Sequence, residues 1–289
     1  MQMALQCVVL AAGLGLTGCE IEGFENSQRH KEDFKHAYDM KPEGSLELDN
    51  LNGSVEIYAW DQEKIEISGT KYASDLEKLK ALRVEITSSG NRVVVRSLRP
   101  SGERWGSIGV RYTIYLPRRT KLDRIQSSNG GIRVEGVEGA MRLRTSNGRV
   151  RVLNAKGEAE VTTSNGGIEM SSFSGSAILR TSNGGITVDG VRGRLEADTS
   201  NGGIDARVAE LDASRGLKLD TSNGGITVRL PAAINAELRA STSNASITSE
   251  FDVKVRGAQS KTHLEGSIGS GGPLIDLDTS NGSIRILRL

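Results

Sequence analysis

Cysteine is scarce in this sequence and its charges are nearly balanced, and each of these properties excludes a class of protein. Only two cysteines, Cys7 and Cys19, occur among the 289 residues, so the chain is not a disulfide-stabilised scaffold. The 37 Lys and Arg residues are matched by 36 Asp and Glu residues, and no basic stripe suited to a phosphate backbone is present. A nucleic-acid-binding function is therefore disfavoured. Beyond residue 19, no apolar run is long enough to span a membrane.

Motifs for cofactors and metals are also missing. The three histidines, His30, His36 and His263, are too isolated to suggest a metal site. The glycine-rich segments lack the Lys-Ser or Lys-Thr of a phosphate-binding loop, and their period differs from that of calcium-binding nonapeptide repeats. We therefore expect no cofactor and no metal.

Catalytic groupings are weak as well. Polysaccharide lyases and hydrolases with a β-helix need clustered carboxylates or basic residues in a groove built by long loops. Here the loops are tight, and the following aspartates are not expected to recur at one register: Asp189, Asp198, Asp205 and Asp220. We therefore expect no catalytic residues, and a carbohydrate-active enzyme is the third and least favoured functional hypothesis.

Glycine, by contrast, is abundant at 35 residues, because Asn-Gly steps recur at a fixed distance. From Asn129 to Asn201 these steps lie 18 residues apart, and they continue at wider spacing beyond. A fixed period of this size predicts a solenoid, in which each coil contacts only its neighbours. Nine coils are expected if the degenerate segment 265–268 is counted. The asparagines predicted to form a structural corner are Asn129, Asn147, Asn165, Asn183, Asn201, Asn223, Asn244 and Asn281.

Alternation within each coil predicts which side chains face the core. In one coil Leu195, Ala197, Thr199 and Asn201 share a face, and the matching positions of other coils are mostly apolar. The Thr and the Asn are therefore expected to point inward, where stacked Asn amides can hydrogen-bond along the tube. The glycines after each Asn permit positive φ and so a sharp turn. The predicted fold class is all-β, a parallel β-helix with coils of about 18 residues. A second corner is marked by Gly139, Gly157, Gly175 and Gly193.

Residues 34–118 are rich in strand patterns but depart from the strict period of the repeat solenoid at 119–289, which is typical of a capping end. An early coil is expected at 45–57, with Asn52 and Gly53 at its corner. Further strands are predicted at 64–67, 83–86, 92–97 and 110–116, and one short helix at 74–82. Bulky aromatic residues gather here: Tyr58, Trp60, Tyr72, Trp105, Tyr112 and Tyr115. They either pack the cap or line a carbohydrate site.

Residues 1–19 have the pattern of a secretory signal peptide, a short apolar run that ends in small residues, although no Lys or Arg precedes the run. The ending Leu16-Thr17-Gly18-Cys19 resembles the bacterial lipobox closely. That resemblance implies that Cys19 is acylated through its sulfur and anchors the protein in a membrane. Glu20 is not the Asp that retains lipoproteins at the inner membrane of enteric bacteria, which implies the outer membrane in a Gram-negative host. Residues 20–33 are polar and predict a flexible tether.

The carboxyl end carries no evident cap sequence after Asn281. An unpaired strand edge can recruit another chain. We therefore expect the C-terminal edge of the solenoid to pair with a partner or with a second copy.

The lipobox, the tether, the segment Leu-Asn-Gly-Ser-Val-Glu-Ile-Tyr-Ala-Trp at 51–60 and the Thr-Ser-Asn-Gly-Gly-Ile coils together resemble the bacterial "putative adhesin" β-helix family, a domain of unknown function. The resemblance covers residues 34–289. It implies a right-handed, single-stranded β-helix in the cell envelope. The leading hypothesis is a non-catalytic lipoprotein whose solenoid serves adhesion, or contact with a protein or a cell-surface glycan. The alternative is a periplasmic scaffold or accessory factor in envelope stress or signalling.

Overall fold

The computed structural model describes residues 30–99, 108–212, 216–256 and 260–289, and these residues contain 24 strands and one short helix. The first elements are β1 (His30–Asp39), β2 (Gly44–Asn52), β3 (Val55–Trp60), β4 (Lys64–Ala73), α1 (Leu76–Ala81), β5 (Arg83–Ser89), β6 (Arg92–Leu98), β7 (Gly109–Pro117), β8 (Thr120–Asn129) and β9 (Ile132–Glu135). The remaining strands are β10 (Met141–Thr145), β11 (Val150–Leu153), β12 (Lys156–Thr163), β13 (Ile168–Ser171), β14 (Ser174–Thr181), β15 (Ile186–Thr199), β16 (Ile204–Leu211), β17 (Leu217–Thr221), β18 (Ile226–Leu230), β19 (Ala236–Thr242), β20 (Ile247–Ser249), β21 (Val253–Val255), β22 (His263–Ile268), β23 (Leu274–Thr279) and β24 (Ile284–Arg288).

Each coil contributes to two rows of paired strands, which we call face A and face B. In each repeating coil, face A holds the strand that precedes the turn at the recurring asparagine (the Asn corner, as at Asn183), and face B holds the strand that follows it. The remaining strands extend these two rows at their ends. Neighbouring coils pair in parallel and in register, as β12 and β14 do from Lys156↔Ser174 to Thr163↔Thr181. The predicted all-β parallel β-helix is confirmed. In spatial order face A is β5, β6, β2, β8, β10, β12, β14, the second half of β15, β17, β23, β19, β22 and β21. Face B is β1, β4, β7, β3, β9, β11, β13, the first half of β15, β16, β18, β24 and β20.

Apolar side chains fill the space between the two faces. One row of face A is Val161, Leu179, Ala197 and Leu219, each at most 1% exposed, as the alternation predicts. A further buried row was not predicted. It lies near the second corner, marked by Gly139, Gly157, Gly175 and Gly193 and called the Gly corner below, and consists of Val137, Ala155, Phe173 and Val191. The tube is therefore packed with side chains along its length.

The coils do not stack in chain order at either end. The coil of β2 and β3 lies directly on β8 and β9, and β6 and β7 lie outside it. At the other end the last coil in the chain, β23 and β24, lies between β17–β18 and β19–β20. The segment 265–268, expected to be a degenerate coil, is part of β22, which is antiparallel to β19. That expectation was wrong because an antiparallel partner turns the chain back instead of continuing the coil.

The expected free C-terminal edge is also wrong. Strand β24 pairs on both sides, with β18 from Ile226↔Ile284 and with β20 from Ile247↔Ile284. The C-terminal coil therefore has no open edge through which to self-associate. The spatial end of the tube is formed by β20 and β21, which have three residues each.

The N-terminal cap has the predicted strands and helix. Helix α1 crosses from β4 to β5, and the Asp75 side chain caps it by accepting a hydrogen bond from the Lys78 backbone N at 2.8 Å. Leu79 and Leu82 are buried beneath this crossing. Strand β1 begins at His30, so residues 30–33, predicted to belong to the tether, pair with β4 instead.

Candidate interaction surface

The corner asparagines form a continuous ladder along the outside of the tube. Each side-chain amide donates to the side-chain oxygen of the preceding coil, as Asn183 Nδ2 does to Asn165 Oδ1 at 2.7 Å. The same bond recurs at 2.6–2.8 Å in every step. The structure thus places the eight predicted asparagines in one row with a ninth, in the spatial order Asn52, Asn129, Asn147, Asn165, Asn183, Asn201, Asn223, Asn281 and Asn244.

The direction of these asparagines differs from the prediction. The neighbouring threonines do point inward: Thr181 is 5% exposed, and its Oγ1 donates to Gly166 O at 2.9 Å. The asparagines, such as Asn183, are exposed. The reason is that β14 ends at Thr181, so the two-residue alternation does not continue through the turn.

Glycine is needed at the Asn corner for a different reason from the one expected. From the Asn129 corner onward, the glycine that follows the asparagine, such as Gly184, does not lie in the left-handed region. A Cβ atom on Gly184 would lie 2.0 Å from Gly166 O of the preceding coil, so close approach of the two backbones requires glycine. Positive φ is used at the Gly corner instead, where Gly175 and Gly193 have φ of 133° and 126°.

A buried polar cluster closes the Asn corner of the first coil, and the sequence reading missed it. Tyr112 Oη lies 2.7 Å from Ser97 Oγ, which donates to Asn50 Oδ1 at 3.0 Å. Asn50 Nδ2 in turn donates to Val110 O at 2.9 Å. Burial raises the pKa of Tyr112 to about 12, and the bond to Ser97 opposes this rise. Asn50 precedes Asn52 by two residues, the position that Thr has in the repeats, and this alignment could have revealed it.

Many outward charged side chains of the two faces form ion pairs, some between neighbouring coils and some within one strand. Glu196 accepts from both Arg180 and Arg194, at 2.8 and 2.9 Å, and Arg151 lies 2.6 Å from Glu169. These pairs are open to solvent on at least one side chain, so each contributes little to stability.

Three aspartates are an exception to this pairing. Asp198, Asp220 and Asp278 lie in register on adjacent strands of face A, so the expectation that the aspartates share no register was wrong for Asp198 and Asp220. Burial raises the pKa of Asp220, and the charges of Asp198 and Asp278 raise it further. Of the other two, Asp189 lies 3.7 Å from Arg207 and Asp205 pairs with Arg229. The described residues contain no group of three His, Cys, Asp or Glu side chains arranged to hold a metal ion.

Three aromatic side chains form an outward cluster on face B, which we call the aromatic patch. Tyr58 and Trp60 lie on β3, and Tyr115 lies on β7 directly opposite Tyr58. The Tyr115 ring stacks 5.5 Å from Tyr58 and 5.4 Å from Trp60, with 28° between the planes in both cases. Lys64 Nζ lies 5.4 Å from the Trp60 ring, and Arg133 Cζ lies 6.0 Å from the Tyr58 ring. All three rings are half-buried.

Hydrogen bonds hold the patch in place. Trp60 Nε1 donates to Lys64 O at 2.9 Å, and Tyr58 Oη donates to Glu56 Oε2 at 2.9 Å. Burial raises the pKa of Tyr58, and the bond to Glu56 adds to this rise. Of the other aromatic residues expected in the cap, Tyr112 is buried, Tyr72 lies under Arg111, and Trp105 is outside the described residues.

The predicted lipidation site, Cys19, the signal peptide and residues 20–29 of the tether lie outside the described residues. Of the three histidines in the sequence, His30 and His36 are on β1 and His263 is on β22. Across the described ranges, no helix is long and apolar enough to cross a membrane.

A family model matches most of the solenoid. The Toastrack DUF4097 model aligns with residues 44–287. The chain belongs to the Toastrack DUF4097 family. This result confirms the resemblance to a bacterial domain family of unknown function. The matched range begins at β2, so β1 lies outside it. No curated protein matches the chain.

Three solved structures are similar to the chain over most of its length. A "putative adhesin" from Bacteroides fragilis NCTC 9343 is 13% identical, covers 89% of this chain and 97% of its own, and has a TM-score of 0.47. A "putative cell adhesion protein" from Clostridium sporogenes ATCC 15579 is 12% identical, with coverages of 89% and 100% and a TM-score of 0.30. A "putative lipid binding protein" from Parabacteroides distasonis ATCC 8503 is 12% identical, with coverages of 88% and 96% and a TM-score of 0.35.

Proposed function

We propose that this chain is a non-catalytic, lipid-anchored protein of the cell envelope, whose solenoid presents the aromatic patch to another macromolecule. The observation that supports this proposal is the composition of the patch. Tyr, Trp and Arg dominate the binding energy of protein interfaces, and here they occur together on a flat sheet surface. Lys64 lies over the Trp60 ring, and Arg133 lies near Tyr58 but is paired with Glu135 at 2.7 Å, so the patch offers a partner an aromatic surface bordered by charges of both signs.

The geometry of the patch favours a protein partner over a glycan. The Tyr115 ring stacks against both Tyr58 and Trp60, so ring faces are turned toward one another and less face area remains for a sugar ring. The same contacts hold the side chains in place before binding. A pre-ordered contact surface loses less side-chain entropy when a partner binds.

Anchoring and location are tested by protease treatment of intact cells that express the full-length protein, with Cys19→Ala as the control. Digestion of the wild-type domain while the membrane stays sealed is the expected result for a surface-displayed adhesin. Protection until the envelope is opened would instead support the periplasmic scaffold. If Cys19→Ala leaves membrane association unchanged, the lipid anchor is refuted.

Contact through the patch is tested by site-specific photo-crosslinking in cells. A photoreactive phenylalanine analogue replaces Trp60 in one variant and Thr187, an exposed residue in the middle of face B, in the matched control. We expect discrete protein adducts from position 60 and none from position 187. No adduct at position 60, or the same adducts at both positions, would refute the assignment of the patch.

A further inference from the structure

The described part of the solenoid has four strands with only one pairing partner each. Two of them, β20 and β21, are only three residues long, and short edge strands are a common protection against unwanted pairing. The other two lie at the N-terminal end, where β5 has seven residues and β1 has ten. Strand β1 is therefore the longest of the described edge strands and is not protected from further pairing by being short.

One side of β1 is fully paired, and no described strand pairs with the other side. It pairs antiparallel with β4 along its whole length, from His30↔Ala73 to Asp39↔Lys64. Among the described strands, only β4 pairs with it. Eight of its ten residues are exposed. Its outer edge thus presents backbone N–H and C=O groups in the geometry that accepts another strand.

We propose that β1 pairs antiparallel with β1 of a second copy of this chain, about a two-fold axis that passes through Phe34. In this register Phe34 lies opposite Phe34 of the second copy. Asp33 lies opposite Lys35 of the second copy, and Glu32 lies opposite His36. The two-fold axis repeats each contact, so the pairing contains two Asp33–Lys35 contacts and two Glu32–His36 contacts.

Charge selects this register over its neighbours. Directly opposite residues must point to the same face of the sheet, so the axis must pass between two copies of one residue. The nearest alternative registers therefore centre on Asp33 or on Lys35. Centring on Asp33 places Asp33 opposite Asp33 and Lys31 opposite Lys35. Centring on Lys35 places the two Lys35 residues opposite each other, which offsets part of the gain from its two Lys31–Asp39 contacts. Like charges directly opposite are destabilising in a sheet, whereas opposite charges are stabilising.

The charged side chains of β1 remain available for these contacts. Lys35 Nζ lies 2.9 Å from Glu66, yet the Lys35 side chain is 65% exposed. Glu32 lies 2.7 Å from Lys71 and is 53% exposed. Asp33 accepts a bond from Thr70 at 2.6 Å with one carboxylate oxygen, so the other can accept from a second copy. The dimer would thus join face B of two solenoids into one continuous sheet.

The first test is a charge exchange in the purified full-length chain that carries Cys19→Ala, followed by sedimentation velocity. Lys35→Asp alone turns both Asp33–Lys35 contacts into like-charge contacts, and we expect the dimer to weaken by about tenfold or more. Asp33→Lys alone should do the same. The double variant Asp33→Lys/Lys35→Asp restores opposite charges and should dimerise like the wild type. A monomeric wild type, or a double variant as weak as the single variants, would overturn the proposal.

The second test is disulfide trapping in a Cys7→Ala/Cys19→Ala background, which removes the native thiols. Opposite Cα atoms in an antiparallel pair lie about 4.5–5.5 Å apart, which suits a disulfide. Phe34→Cys should therefore give a covalent dimer under mild oxidation. Tyr38→Cys on the same face of β1 is the control, because Tyr38 lies opposite His30 of the second copy. Equal trapping at both positions would overturn the register. If Phe34→Cys fails to fold, a mixture of Asp33→Cys and Lys35→Cys chains should give a mixed disulfide, and its absence would have the same meaning.

Discussion

Two adjacent glycines in one Asn corner allow the packing argument to be tested with a matched pair of substitutions. Neither Gly184 nor Gly185 lies in the left-handed region, so the backbone of both accepts alanine. A Cβ atom on Gly184 would lie 2.0 Å from Gly166 O, whereas one on Gly185 would meet its nearest atom, Gly203 O, at 3.3 Å. The two alanine variants have the same composition and differ only in the space available.

The expected cost of Gly184→Ala follows from the bonds that a displaced corner would lose. The clashing atoms belong to the backbone of the preceding coil, so relief requires the two coils to move apart. Four hydrogen bonds join this corner to that coil: Asn183 N to Ser164 O at 2.9 Å, Asn183 Nδ2 to Asn165 Oδ1 at 2.7 Å, Thr181 Oγ1 to Gly166 O at 2.9 Å, and Ile168 N to Gly185 O at 3.0 Å. At about 1 kcal/mol each, their loss costs about 4 kcal/mol. For Gly185→Ala we expect a change within about 1 kcal/mol, because the tight contact is offset by the lower entropy of the unfolded chain.

The assay is urea unfolding followed by circular dichroism, together with hydrogen exchange, because solenoids can open locally. Gly184→Ala should lower the urea midpoint and accelerate exchange in the coils on either side of the corner. Gly185→Ala should leave both close to the wild type. Equal losses in the two variants would refute the close-approach explanation and indicate that the corner needs glycine for another reason.

Three further predictions concern single side chains. Asn183→Asp removes one amide donor from the exposed ladder and should lower the free energy of unfolding by about 1–2 kcal/mol, as measured by urea unfolding with Ser182→Asp as the control. Asp220→Asn should raise the free energy of unfolding at pH 7 by up to about 1 kcal/mol, and this gain should vanish in acid. The sign follows from the raised pKa of Asp220, which means that ionisation above that pKa destabilises the folded state. The pKa of Tyr112 is raised from 10.0 to about 12, so wild-type stability should fall by about 3 kcal/mol as the pH rises from 10 through 12. Tyr112→Phe should lack this component of the alkaline loss.

The solenoid could be predicted from the sequence because its coils repeat the same local chemistry. The apolar positions at Leu195 and Ala197 recur in other coils, so one coil predicts the core of its neighbours. The direction of Asn201 was mispredicted for an equally local reason. Alternation is a property of strands, and β15 ends at Thr199, two residues before the asparagine. The predicted hydrogen bonds between stacked asparagines are nevertheless present, because they depend on the spacing between coils and not on the direction in which the row faces.

The aromatic patch could be predicted only in part. The sequence indicates that aromatic residues gather in the cap, but it does not indicate which of them meet. Tyr58 and Tyr115 are brought together by the parallel pairing of β3 with β7, strands that are far apart in the chain. No period links these two strands, and the cap has no repeated motif from which their register could be read. The role of Asn50 was missed for a related reason, since its partner Ser97, and Tyr112 to which Ser97 is bonded in turn, come from later strands.

Whether a coil keeps the Asn-Gly repeat depends on its position in the stack and not on its order in the chain. Gly282 belongs to the last coil of the chain, and a Cβ atom there would lie 1.9 Å from Gly224 O, so this coil needs glycine as the inner coils do. In the outermost coil, Ala245 occupies the matching position. That coil has one neighbour on face B instead of two, so its corner can move to make room for a methyl group, and Ile247 is only half-buried while Ile284 is fully buried. The coil of β6 and β7 at the opposite end lies outside the first Asn-Gly coil and has no corner of that kind among its described residues. Close stacking on both sides is therefore what demands the repeat, and a coil that departs from the repeat is tolerated where only one side is stacked.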